Sequence, residues 1–173
     1  MTLVPQVVDA VAPVPVVAAG GIYDGRGIAA ALALGAVGVN LGTRFLASKE
    51  APIPEEWKQA ILAGRSEDAV KAEVLNDIAP LPGTAGFNTV LRSLPTAFLE
   101  EWSAKRDEAR REQVRLKQHI VSTHQANRQH ETLLTAGQTA GGIKEILPVA
   151  TIMRQLVTEA EAALAKASSH VRL

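Results

Sequence analysis

Residues 14–45 read VPVVAAGGIYDGRGIAAALALGAVGVNLGTRF. Val14 to Ala19 is a short apolar run without alternation, the pattern of a parallel strand buried on both faces. Gly20-Gly21 ends it in a turn. A helix is predicted from about Asp24 to Ala33, with Asp24 capping its first amides. Ile28, Ala31, Leu32 and Gly35 line one side, and Gly35 suits the left-handed position past the helix end. Val37 to Leu41 forms a second strand, with Val39 and Leu41 on one face and Asn40 and Gly42 on the inward one. It ends at a second turn, Gly42-Thr43. Strand, helix and strand in this order make a right-handed parallel unit and an α/β fold.

Outward from this unit, Leu3, Val4, Val7, Val8 and Val11 fall at helical spacing. The spacing favours a helix, although valine content alone would suit a strand. Pro13 and Pro15 end that segment. On the other side, Pro54-Glu55-Glu56 opens a helix carrying Trp57, Ala60 and Ile61 and closing near Gly64. Ser66 to Asn76 is read as helix in preference to strand. Ala79 to Thr89 is a Pro/Gly loop, a candidate for a site wall.

Glu100 to Lys117 holds five acids and six bases. Glu101–Lys105 and Asp107–Arg111 are spaced for helical ion pairs, and the alternating signs without interleaved aromatics describe a solvated helix rather than a nucleic-acid patch. His119, His124 and His130 are spaced by five and six residues, which puts them on different helix faces, so no metal site is expected. Ala136 to Gly142 (AGQTAGG) is a third glycine-rich turn. Pro148 starts a long helix whose apolar stripe runs from Val149 through Ile152, Leu156 and Ala160 to Ala167. Fraying is expected after Ser168.

The 173 residues are 47% hydrophobic, enough for one domain with a sizeable core. Basic and acidic residues balance at 18 each, so no charge bias points to nucleic acid or a membrane surface. The absence of cysteine excludes disulfides, thiolate metal sites and cysteine nucleophiles. The longest apolar run, Ile28 to Leu34, is too short to span a bilayer. No signal peptide is read at the N-terminus, and a cytoplasmic location is expected.

The chemistry lies in the glycine turns. A phosphate dianion needs several donors at short range and little steric bulk, and backbone amides at glycines provide both. Two such turns on neighbouring strand ends form a phosphate cup, as in the loops after the last strands of (β/α)8 barrels. Gly25-Arg26-Gly27-Ile28-Ala29-Ala30 also matches the dinucleotide pattern G-x-G-x-x-A. That motif should begin at the strand end, and Gly25 lies several residues past it. The next strand should end in an acid, and here it ends in Gly42-Thr43-Arg44. Glycines serving only tight turns are the third reading, and the pairing of two turns with an inward Asn40 favours phosphate over it. Arg44 is open between a phosphate and a neighbouring carboxylate. No nucleophile elbow, H-E-x-x-H motif or carboxylate pair is found, so no catalytic residue is assigned.

The segment VPVVAAGGIYDGRGIAAALALGAVGVNLGTRFLAS closely resembles the nitronate monooxygenase (2-nitropropane dioxygenase) family. The flavin-dependent enoyl-[acyl-carrier-protein] reductases are relatives of that family. AGQTAGG and IKEILPVATIMRQLVTEAEAAL resemble the family's C-terminal end. The likeness is specific over Pro15 to Ser48, moderate over Ala136 to Leu164 and weak between. It implies the C-terminal part of an FMN-binding (β/α)8 TIM barrel with added C-terminal helices. Residues 1–48 would hold the last βα units with the phosphate site, 49–135 a helical and loop insertion, and 136–167 a glycine turn and closing helix. By resemblance, Gly20, Gly21, Asn40, Leu41, Gly42 and Thr43 hold the FMN phosphate; family members commonly have glutamine at the position of Asn40. The implied reaction oxidises alkyl nitronates with O2 to carbonyl compounds and nitrite.

Family members are about twice this length, in keeping with the roughly 250 residues or more of a full barrel. Their N-terminal half supplies the base, a histidine in a glycine-rich motif, and none of His119, His124, His130 or His170 lies in one. The expectation is a chain that carries the phosphate end of the flavin without the catalytic histidine. A homo-oligomer, or a separate N-terminal half, would complete it. The alternatives are an enoyl-[acyl-carrier-protein] reductase relative using NAD(P)H, and a non-catalytic half-barrel.

Overall fold

The computed structural model describes residues 2–80 and 89–171. In chain order its elements are α1 (Leu3–Val11), β1 (Val17–Ala19), α2 (Gly25–Ala33), β2 (Gly38–Asn40), α3 (Thr43–Leu46), α4 (Glu55–Ala63), β3 (Val70–Lys71), α5 (Val74–Ile78), β4 (Arg92–Leu94), α6 (Ala97–Ala104), α7 (Arg106–Arg111), α8 (Gln113–Gln125), β5 (Leu134–Thr135) and α9 (Val149–His170). They form two compact units, Met1–Ala51 with Glu145–Leu173, and Pro52–Lys144.

The first unit is the predicted βαβ unit with α1 and α9 added. β1 and β2 pair in parallel, with Val17 opposite Gly38, Ala18 opposite Val39 and Ala19 opposite Asn40. β1 is shorter than the apolar run, because Pro13 and Pro15 lack the amide that a ladder needs and Val14 N instead donates to Val11 O at 2.9 Å. Ala18, Ala31 and Ala36 make a small core joined by Val4, Ile22 and Val39. Small side chains on both layers let α2 lie close to the strands. The expectation of burial on both strand faces is not met. The burial of β1 alternates, with Ala18 buried between exposed Val17 and Ala19, and Val17 is 56% exposed. Helices of the unit cover one face only.

Helix α2 packs on two sides. Asp24 caps it as predicted, its carboxylate accepting from Gly27 N at 3.1 Å. Gly25 and Ala29 are buried one turn apart, and a Cβ on Gly25 would lie 2.3 Å from Ala160 N of α9. Ala31 faces the strands, while Leu32, expected on the packed side, is 38% exposed. Pro148 starts α9, and the Glu50 carboxylate accepts from Val149 N at 2.9 Å. The buried row of α9 is Ile152, Leu156 and Ala160, narrower than the predicted stripe; Met153 and Val157 are about half exposed. α9 continues to His170 rather than fraying after Ser168, with Ser169 Oγ donating to Lys166 O at 2.7 Å.

The second unit revises two readings. Ser66 to Asn76 is not one helix but a 3-10 turn at Ser66–Asp68, then β3, then the start of α5. The Asp68 carboxylate closes the turn by accepting from Arg65 N at 2.8 Å. β3 pairs antiparallel with β4, which pairs antiparallel with β5. The partner that draws Val70 into a strand is Ser93, too distant in sequence for a local pattern to register. The Pro/Gly loop read over Ala79 to Thr89 lies, from 81 to 88, outside the described residues.

Glu100 to Lys117 is likewise not a single solvated helix. It breaks at Lys105 and Glu112 into parts of α6, α7 and α8. These carry Phe98, Leu99, Trp102, Ala109 and Leu116 into a core with Val74, Leu75 and Ile78 of α5. The Glu101–Lys105 pair forms at 3.0 Å. Asp107 pairs with Arg110 at 2.7 Å instead of with Arg111. Arg106 and Arg110 both reach Asp77 of α5, at 2.7 and 3.0 Å.

Candidate functional site

The two glycine turns come together through register. Ala19 opposite Asn40 is the last pair of a parallel ladder, so Gly20-Gly21 and Gly42-Thr43 follow at the same end of two strands about 4.8 Å apart. Gly20 and Gly21 have φ of +88° and +76°, the left-handed region in which a side chain is strained. A Cβ on either would meet nothing within 4 Å. Gly42 has an ordinary φ of −93° and also has open space where a Cβ would stand. Neither strain nor packing within the unit therefore calls for glycine at 42. A group that approaches the backbone closely would.

Asn40 is exposed on the strand face away from α2, so its inward position lies in open space rather than in a core. Leu41 is half-buried and Thr43 is buried. A cavity of about 310 Å3 lies behind the first turn, among Val4 of α1, Ala18, Ile22, Ala31 and Leu34. Gly20 and Gly21 of the first turn line it beside these apolar side chains.

Arg44 donates to backbone carbonyls rather than to a carboxylate. It is 8% exposed, and its Nη2 donates to Ala47 O at 3.0 Å and Glu145 O at 2.9 Å. Its Nε is buried without a partner. Burial lowers its pKa from the usual arginine value, and the charge of nearby Glu145 opposes that fall. Asp24 is a cap that also pairs with Arg26. Hydrogen bonding to Asp24, followed by its charge, raises the Arg26 pKa.

The structure accounts for the competing motif by packing. Gly25 admits α9, Gly27 lies 3.1 Å from Ile22 Cγ2 at its would-be Cβ, and Gly25 N donates to Glu159 Oε2 at 2.9 Å. Those contacts explain both glycines of G-x-G-x-x-A without a dinucleotide. In the third glycine turn, a Cβ on Gly141 would lie 2.4 Å from Ser66 Oγ, so that glycine is required by close approach as well.

His119 packs against Phe98, with ring centroids 5.7 Å apart, and His124 Nδ1 lies 3.3 Å from Gln129 Nε2. Among the described residues no group of His, Asp or Glu is arranged to hold a metal ion. Among them, too, no helix is long and apolar enough to cross a membrane.

The sequence model of the family described as nitronate monooxygenase matches residues 1–159. The chain belongs to the nitronate monooxygenase family. Among curated relatives, nitronate monooxygenase npaC of Metarhizium robertsii is 37% identical over 179 aligned positions, covering 99% of this chain and 49% of the relative. Among solved structures, FabK from Thermotoga maritima superposes with a TM-score of 0.76 at 30% identity, over 98% of this chain and 51% of that one. A nitroalkane oxidase from Streptomyces ansochromogenes gives 0.73 at 29% identity, over 95% and 44%. The chain thus spans about half the length of these proteins.

Proposed function

We propose that this chain carries the FMN-phosphate site of a flavin-dependent oxidoreductase of the nitronate monooxygenase type, oxidising alkyl nitronates with O2 to a carbonyl compound and nitrite. The observation that carries the reading is the parallel register of β1 and β2, which brings the two glycine turns to one end of the strands. The FMN-binding site would be Gly20, Gly21, Asn40, Leu41, Gly42 and Thr43. The backbone amides of the two turns donate to the phosphate, and the missing side chains at Gly20, Gly21 and Gly42 leave room for its oxygens. Asn40, on the open strand face, would contact the same ligand. The strands belong, in this reading, to an FMN-binding (β/α)8 barrel, in which phosphate sits at such strand ends, and residues 49–135 are an insertion ahead of the third glycine turn and α9. Bound FMN would supply the redox chemistry, while the protein supplies position and field. No residue of the chain is assigned as base; His119 and His124 are engaged with Phe98 and Gln129.

Titration of the purified chain with FMN tests the site. The expected outcome is stoichiometric uptake followed by flavin absorbance, and a protein that stays colourless after reconstitution overturns the reading. The likeness to FabK favours one second reading, a flavin-dependent enoyl-[acyl-carrier-protein] reductase. Oxygen uptake with propyl-2-nitronate supports the first reading, and NADH oxidation with a crotonyl thioester supports the second.

A further inference from the structure

Arg44 follows the second turn directly, and its environment is unusual for a cation. It is more than nine-tenths buried, and among the described residues its hydrogen bonds go to the carbonyls of Ala47 and Glu145. Its Nε has no hydrogen-bond partner. Withdrawing a guanidinium from water costs several kcal/mol unless charge or dipoles compensate it, and an apolar side chain of like volume would fill the space without that cost. The two carbonyl bonds compensate part of it and also fix geometry. They tie α3, which begins at Thr43, to the strand of chain entering α9. Two further ties lie beside them: a parallel bridge between Ser48 and Leu147, and the Glu50 carboxylate on Val149 N.

We propose that Arg44 is the positioning residue of the phosphate site: its latch to Ala47 and Glu145 holds the Gly42-Thr43 turn, and its buried positive charge favours a dianion at that turn. α3 rises about 6 Å along its four residues, so the guanidinium lies on the order of 10 Å from the turn, about one Debye length at ordinary ionic strength and near enough to act on a doubly charged ligand. The inference rests on the phosphate reading above, and its test separates the two.

Dissociation constants for FMN and for riboflavin, which lacks the phosphate, are measured by flavin fluorescence on the whole chain. The native protein is expected to prefer FMN. If it binds both equally, the phosphate site fails and this inference with it. If the preference is present, the variants decide on Arg44 alone. Arg44→Met should lower the FMN-to-riboflavin preference about tenfold with little change for riboflavin, and Arg44→Lys, which keeps the charge, should retain most of it. A merely structural role would weaken both ligands alike in Arg44→Met, and that result overturns the proposal. Should Arg44→Met fail to fold, Glu145→Gln decides. Glu145 is exposed, and removing the carboxylate that opposes Arg44 should raise the preference about twofold; an unchanged or lowered preference overturns the proposal.

Discussion

Gly25, Gly42 and Arg44 occupy one motif-rich stretch, yet their neighbours give them three different jobs. Gly25 is a packing glycine, and Gly25→Ala would drive a methyl group into the backbone of α9 at Ala160. The expected loss is about 1–3 kcal/mol, read as a lowered denaturant midpoint. Gly42 has ordinary torsions and open space, so Gly42→Ala should change stability by no more than about 0.5 kcal/mol. The same substitution should weaken FMN at least about tenfold, since the methyl group stands where the ligand must approach; titration beside a denaturant melt checks both halves. The glycines themselves were legible in the sequence, and so was the cap at Asp24. Which glycine is required by packing and which stands beside open space was not, because that depends on what lies across from each. For Arg44 the sequence offered two partners, and the fold supplied a third kind, backbone carbonyls 3 and 101 residues away.

Elements with a strong local signal matched their reading: α1 follows from apolar periodicity, and α2, α4 and α9 from that periodicity with aspartate or proline at their starts. Those that depend on distant partners did not. β3 exists because β4 pairs with it, and the charged stretch breaks because Phe98, Trp102, Ala109 and Leu116 must all reach one core. Its charges then serve the fold. Burial alone would raise the Asp77 carboxyl, but hydrogen bonds from Arg106 and Arg110, with their charges, outweigh it and hold the pKa below the usual carboxylate value. A depressed folded pKa stabilises above the unfolded value of about 3.9 and is lost as pH falls through the folded one. Thermal melts at stepped pH below about 4 should therefore show a steeper loss in the native chain than in Asp77→Asn. Parallel slopes would remove Asp77 from the acid response. Trp102 belongs to the same core, with Lys105 Nζ 5.9 Å and Arg115 Cζ 5.6 Å from its ring centroid, so its face is closed by cation–π contacts.

For the molecule as a whole, ligand linkage is the clearest test. If FMN binds only the folded chain, then FMN at about 100 times its dissociation constant should stabilise it by about 2.7 kcal/mol. A rise in melting temperature with FMN, larger than that with riboflavin at the same concentration, is expected in a thermal melt. A rise that is equal for the two flavins would remove the phosphate from the account. The sequence by itself determined the βαβ unit, its glycine turns and the family, because periodicity, capping and turn chemistry act between residues close along the chain. Tertiary structure alone decided the division into two units, the three-stranded antiparallel sheet and the latch at Arg44, because each depends on groups brought together from far apart in sequence. It also decided that one face of β1 and β2 stays open beside the paired turns, since an apolar strand reads the same whether one of its faces is covered or both.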